Sequence, residues 1–375
     1  MIRLTVPSIE EDDLEAVRAA LASGHLVQGA RVAAFEAAVG ARVGSRFTVA
    51  VTNCTAALQL ALLALDVGPG DLVLVTAYSW LSTANVVELC GAQPVFVDID
   101  AATFNMDPRR LDEALERLTA APDVRRRVKA VLPVHTFGQM ADMDALLEVA
   151  GRYGLPVIED AACALGATLG GRQAGSLGTL GCFSFHPRKA ITTGEGGVVT
   201  TDDPQLAKRI RALRNHGQDP DAATPDFVTP GFNCRMTELQ AALGVTQMAK
   251  LDRVLAARRR LAARYDELFA GTPVLAPRSL AGTSPTYQSY VVLLPRADAA
   301  ARAHKIKRLR DDGVETTIGT WHMPLTSYYR ARYGHAPGDF PVTDDIFARA
   351  LTLPLYESLS EHDQSRVVEQ VLRAD

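Results

Sequence analysis

Between Arg31 and Thr201, short β-branched apolar runs alternate with stretches of helical periodicity, and this pattern narrows the fold more than any other feature. The runs are Phe47–Val51, Asp71–Thr76, Pro94–Asp98, Lys129–Val134, Leu155–Glu159, Gly181–Phe185 and Gly197–Thr200. Helix-like stretches at Thr55–Leu65, Ser82–Cys90, Pro108–Leu118 and Met143–Arg152 separate the earlier ones. Strands separated by helices form βαβ units, whose parallel strands need a crossover. Ala130–Val134 is apolar on both faces, as a strand covered by helices on each side requires. The spacing predicts an α/β fold around a mostly parallel, seven-stranded sheet. Gly181–Phe185 and Gly197–Thr200 lie too close for a crossover helix, so one sheet member is expected to run antiparallel.

From Thr237 to Ala270 the apolar positions Leu239, Leu243, Met248, Leu251 and Leu255 recur at helical spacing with no proline, predicting one long amphipathic helix. It reads as the connector from a large domain, residues 1–245, to a smaller α+β domain, residues 246–375. The smaller domain has strand candidates at Ser289–Leu294 and Glu315–Thr317. Its helix candidates are Ala299–Asp311, Asp344–Ala350 and Glu361–Leu372. Gly217–Gly231, rich in proline and aspartate, is the best candidate for a long functional loop.

Charge narrows the function. With 39 basic and 43 acidic residues, the net charge of -4 gives no footprint for a nucleic-acid backbone. The longest apolar runs are far shorter than a membrane span, and the amino terminus has no signal-peptide pattern. Five cysteines, odd in number and without a CxxC pair, argue against a disulfide scaffold or a zinc site and suit a reducing cytoplasm. No metal is expected.

In an open α/β sheet, ligands sit beyond the carboxyl ends of the strands, so the residues there carry the functional reading. Thr52-Asn53-Cys54-Thr55 opens a helix, where free amides and a hydroxyl suit a phosphate; an ordinary helix cap uses the same residues. Tyr78-Ser79-Trp80 brings aromatics to the same edge. Glu159-Asp160 places two acids at a strand end, where an unpaired carboxylate is costly. Lys189 follows the strand ending at Phe185, five residues after Ser184 and ahead of the flexible Gly194-Glu195-Gly196-Gly197. A desolvated lysine, a strand-end acid, an aromatic ring and a phosphate cradle together point to pyridoxal 5′-phosphate. Its aldehyde needs an amine of lowered pKa, and its ring nitrogen needs an acidic partner.

These segments resemble the DegT/DnrJ/EryC1/StrS family of PLP-dependent sugar aminotransferases, which have the fold-type I architecture. The resemblance spans nearly the whole chain: Gly68-Pro69-Gly70-Asp71, Pro94–Asp98, Pro133-Val134-His135, Ile158–Ala162, Gly175-Ser176-Leu177-Gly178, Phe183–Lys189 with Gly194–Gly197, Arg214–Gly217 and Gly231–Met236. It implies that Lys189 is the Schiff-base lysine and Asp160 the pyridinium partner. Trp80 would stack on the ring, and Thr55 and Ser184 would hold the phosphate. Asn233 would reach the phosphate of a neighbouring subunit, so a homodimer with shared active sites is expected. Two positions depart from the family: Cys54 replaces the usual Gly before Thr55, and Cys163 stands where Gln or His is common. His216, Trp321 and His322 lie in loops that face the cleft in relatives and are the substrate candidates.

The expected reaction moves an amino group, by family habit from glutamate, to a nucleotide-linked keto-deoxysugar by ping-pong chemistry. A lysine-bearing sugar deaminase or dehydratase, or an aminocyclitol aminotransferase, is the alternative on the same fold. A non-catalytic relative would have a silenced site, whereas Lys189 and Asp160 are both present; a nicotinamide dehydrogenase would need a G-x-G-x-x-G turn that the first helix lacks.

Overall fold

A computed structural model describes residues 1–295 and 297–373. Seven strands build the sheet that positions the site: β1 (Phe47–Val51), β2 (Leu72–Thr76), β3 (Gln93–Val97), β4 (Val128–Leu132), β5 (Ile158–Asp160), β6 (Leu180–Ser184) and β7 (Gly197–Thr201). They form two blocks, ordered β1-β7-β6-β5 and β3-β2-β4. Parallel bridges Val131–Val157 and Val134–Asp160 join the blocks along β4 and β5. β7 is antiparallel to both β1 and β6, and the other pairings are parallel. The expected antiparallel member is therefore the one that follows Lys189. Its reversal brings Gly197, at the start of β7, to the edge where β1, β5 and β6 end.

Helices cover both faces. α1 (Glu11–Ala22) and α2 (Ala30–Val43) precede the sheet, α3 (Cys54–Ala64) follows β1, and α4 (Ser82–Leu89) precedes β3. α5 (Pro108–Thr119), α6 (Met143–Arg152) and α7 (Pro204–Arg214) complete this layer. α3 lacks a polar stripe: Ala56, Ala57, Leu58, Leu60, Ala61, Leu62 and Ala64 are all buried. Such a helix must be sandwiched, and it packs on β1, β6 and β7 beneath α4 and α7. Burying each leucine contributes about 1.5–3 kcal/mol, which fixes the α3 amino terminus against the sheet edge. The sequence pattern did not single out α1, α2 or α7.

α8 (Glu238–Phe269) is one unbroken helix of 32 residues, opened by a capping box between Thr237 and Gln240. Residue 246 lies inside it. Its first half packs on α1 and α2, and Leu261, Ala262, Tyr265 and Phe269 enter a second core. That core covers one face of the sheet β8 (Tyr290–Leu293), β9 (Thr317–Ile318) and β10 (Ala350–Leu353), ordered β8-β10-β9, together with α9 (Ala299–Asp311) and α11 (Glu361–Leu372), while α10 (Pro341–Arg349) packs Ile346 into a separate cluster with Tyr78, Ile99 and Phe104. Ile2 belongs to the same core and bridges Val314, so both ends of the chain meet there. The helix expected at Asp344–Ala350 begins at Pro341 and gives way to β10, whose alternating Ala350-Leu351-Thr352-Leu353 had no strand assigned.

Two contacts stitch this region to the large sheet. Trp321–His322 pairs antiparallel with Tyr78–Ser79. Asp98, just beyond β3, accepts hydrogen bonds from the Val342 and Thr343 amides at 3.1 and 3.0 Å and from the Thr343 hydroxyl at 2.6 Å.

Candidate active site

Ladder register gathers the expected residues. Gly197 pairs with Val51 on one side and Ser184 on the other, and Asp160 pairs with Cys182. The α3 amino terminus, the β5 acid and the end of β6 therefore share one rim. Gly197 is required there: a Cβ at this position would meet the Asn53 carbonyl oxygen at 2.3 Å and the Cys54 nitrogen at 2.7 Å. Asn53 caps α3 through the Ala56 amide at 2.9 Å, so the first-turn amides at Cys54 and Thr55 face outward without intrahelical partners. Thr55 is exposed and Cys54 half-buried, where burial pushes the Cys54 thiol well above its usual range. This cradle suits an anion.

The two acids of β5 point to opposite faces. Glu159 is fully buried and saturated: the Gly175, Leu177 and Gly178 amides donate to it at 2.8, 2.7 and 2.6 Å. His135 Nε2 lies 2.8 Å away, and the Ala141 amide donates to His135 Nδ1 at 3.1 Å, which puts the imidazole proton on Nε2. Burial raises the Glu159 carboxyl, but His135 and the amides overcome it and hold the carboxyl below its usual value. Asp160 is also buried, yet receives only the Thr83 hydroxyl at 2.8 Å and the Ala162 amide at 3.2 Å. Burial dominates and raises its carboxyl. Thr83, held in turn 3.1 Å from Ser79, was not singled out from sequence. Its only signal was a position in the first turn of α4, after the expected Trp80.

Lys189 sits in a turn closed by its own amide on the His186 carbonyl at 2.8 Å, and its Nζ lies 3.2 Å from Cys163 Sγ. Burial would lower the ammonium, but Cys163, Cys54 and Asp160 outweigh it, so the ammonium is held above its usual value. The expected depression is thus corrected: the sulfur and carboxylate partners surrounding the amine favour its charged form. Lys189, Cys163, Cys54 and Asp160 converge on one space. Ser184 is half-buried at its rim, next to Gly197.

Other candidates lie further out. Trp80 is 63% exposed and Trp321 39% exposed, brought near each other because Trp321 pairs with Ser79. His322 is buried, with Nε2 2.9 Å from Asp344 and its ring against Phe340 and Phe347. Burial lowers its imidazole. His216 and Asn233 are exposed on a segment tied together by the Asn215–Asn233 bridge, and this segment reaches β1 through the Val51–Arg235 bridge. Among the described residues, no group of His, Cys, Asp and Glu side chains is arranged to hold a metal.

A model of the DegT/DnrJ/EryC1/StrS aminotransferase family matches residues 7–372. The chain belongs to that family. The spore coat polysaccharide biosynthesis protein SpsC of Bacillus subtilis is 38% identical, over 98% of this chain and 95% of its own. The GDP-perosamine synthase of Caulobacter vibrioides is 41% identical, over 91% and 89%. Among solved structures, the sugar aminotransferase Spr1654 of Streptococcus pneumoniae aligns in its PMP form with a TM-score of 0.93 and 29% identity, covering 99% of this chain and 98% of that one. Its PLP form gives a TM-score of 0.92. The protein is thus a PLP-dependent sugar aminotransferase of fold-type I. Its own geometry fits the cofactor: a buried acid short of donors, a facing amine and a helix amino terminus into which only a glycine can pack.

Proposed function

We propose that this aminotransferase carries the amino group of L-glutamate to a keto-deoxysugar borne on a nucleoside diphosphate, in a two-stage ping-pong cycle of amino-sugar biosynthesis. The observation that carries the reading is the convergence of Lys189 Nζ and the buried Asp160 carboxylate on one space at the sheet edge. The relative named GDP-perosamine synthase, 41% identical, supports a nucleotide-linked acceptor.

Pyridoxal phosphate supplies an aldehyde carbon for nitrogen exchange and a protonated ring that withdraws the electrons left when a carbon–hydrogen bond breaks. Asp160 would hold the proton on the ring nitrogen; a cation there relieves the cost of its burial. Thr83 and the Ala162 amide fix the carboxylate in place. Lys189 Nζ would hold the cofactor's aldehyde end and, when the amine is free, would move the proton given up by the donor's α-carbon. Cys163 would hold that amine while it is free. The Cys54 and Thr55 amides, the Thr55 hydroxyl and Ser184 would bind the phosphate, and Trp80 would cover the ring.

We further read the enzyme as a homodimer whose Asn233 completes the partner's phosphate site. Asn233 is exposed and adjoins Phe232, and Phe227 and Val228 nearby are 62% and 57% exposed. Burying such a surface against a second copy removes apolar area from water. Of the substrate candidates, exposed Trp321 has more support than His322, whose ring is committed to Asp344. All five cysteines are free, which suits the cytoplasm.

The reading is tested by offering a panel of nucleotide keto-sugars with glutamate and following products by mass spectrometry. 2-Oxoglutarate formed in step with an amino sugar supports it; free ammonia without an amino sugar replaces it with elimination.

A further inference from the structure

A small cleft of about 100 Å³ opens beside the Lys189 turn, with Thr5, Arg188, Gln288, Ser289, Thr317 and Gly319 among its lining residues. That is smaller than a whole-ligand pocket, and suits one charged end of a ligand rather than all of it. Three contacts tie it to the reactive amine. Arg188 immediately precedes Lys189 in the closed turn. Gln288 Nε2 donates to the Arg188 carbonyl. The Thr286 hydroxyl donates to the Cys163 carbonyl at 2.8 Å, and Cys163 Sγ is the partner of Lys189 Nζ. Gly138 allows this docking: with φ at 91°, it lies where a Cβ would meet the Thr286 hydroxyl oxygen at 1.9 Å.

Gln288 and Thr352 are committed, to the Arg188 and Ile318 carbonyls, whereas other polar groups of the cleft are not. Arg188 makes no ion pair with a described carboxylate, and the Thr5, Ser289 and Thr317 hydroxyls hydrogen-bond no other described residue. An exposed guanidinium with hydroxyl donors around it matches a carboxylate, which a guanidinium fork holds by two parallel hydrogen bonds. Leu353 and Leu355 supply an apolar wall for a short methylene chain. No described acid lines the cleft to repel an anion.

We propose that this cleft is the subsite for a carboxylate of the amino donor, anchored by Arg188. The assignment rests on the donor being a dicarboxylic amino acid. It places the donor's anion on the residue that precedes Lys189 in the chain, and leaves the region of Trp80 and Trp321 for the acceptor.

The test uses the full chain in its pyridoxal phosphate form and glutarate, a dicarboxylate without an amine, titrated by calorimetry. Arg188→Met should weaken glutarate about 10- to 100-fold, the range for a charge-assisted hydrogen bond. Arg188→Lys, which keeps the charge and loses the fork, should fall between. In single-turnover kinetics, Arg188→Met should raise the glutamate concentration for half-maximal conversion by a similar factor, while the keto-sugar stage keeps its wild-type rate. Equal glutarate affinity in wild type and both variants overturns the proposal. So does a defect confined to the keto-sugar stage, which would place Arg188 on the acceptor's diphosphate. Wild-type protein that binds glutarate through Arg188 yet makes no 2-oxoglutarate removes glutamate as donor and leaves the carboxylate subsite standing.

Discussion

Glu159 and Asp160 are neighbours in sequence, equal in charge and both buried, yet they do opposite things. Glu159 faces the 175–178 turn and finds four donors, three of them backbone amides. Asp160 faces the α3–α4 side and finds two. A carboxylate whose lone pairs are filled by fixed donors is a structural joint. One left short of donors in the same low dielectric is poised for a cationic ligand. Burial alone therefore does not distinguish a framework acid from a functional one; the count and permanence of its donors do.

The largest effect is expected on the functional face. Lys189→Ala should lower turnover by at least about 1,000-fold while pyridoxamine phosphate still binds, measured by turnover assay and equilibrium dialysis. Asp160→Asn should lower turnover about 100-fold with little change in melting temperature, because it removes a buried charge short of partners. Glu159→Gln should reverse that pattern, costing about 3 kcal/mol in denaturant unfolding, since an amide cannot accept from every donor around it. If Asp160→Asn unfolds the protein and Glu159→Gln does not, the contrast between the faces is lost.

Acid titration sharpens the same contrast. The Glu159 carboxyl is lower in the folded than in the unfolded chain, so its contribution to stability is complete above about 4.5, the ordinary glutamate value, and disappears as pH falls through the folded value. Asp160 is raised and has the opposite sign: as a carboxylate it costs stability, and protonation on acidification relieves that cost. Circular dichroism below about pH 4.5 should therefore show a shallower acid dependence for Glu159→Gln than for wild type. The smallest effect should be Thr83→Val, which removes one donor from Asp160 and should slow turnover about fivefold, equivalent to about 1 kcal/mol.

Much of this was legible in the chain. Alternating runs such as Phe47–Val51 and Gly197–Thr200 marked the strands, because period and β-branching are local properties. Lys189 and Asp160 were legible because strand ends form the rim of an α/β sheet. Thr83 was not, since its partner lies 77 residues away and a threonine early in a helix resembles a cap. The sign of the Lys189 shift was not legible either, because it depends on Cys163 and Cys54, which the fold alone brings near the amine. β10 escaped notice because a short strand directly after a helix breaks no periodicity visible from sequence.

The reversal of β7 has a consequence for how the enzyme tolerates change. A crossover after β6 would have carried the chain to the far rim; here residues 185–196 leave and return at adjacent rungs, Ser184 and Gly197. The Lys189 amine thus sits on a segment whose two feet are clamped together, so its anchorage is set by one rung pair of the sheet. The segment is packed as well as tied, with Ile191, Thr192 and Thr193 buried and the Thr192 amide bonded to Gln247, so any change in its length must be absorbed where it is exposed, as in the turn around Arg188.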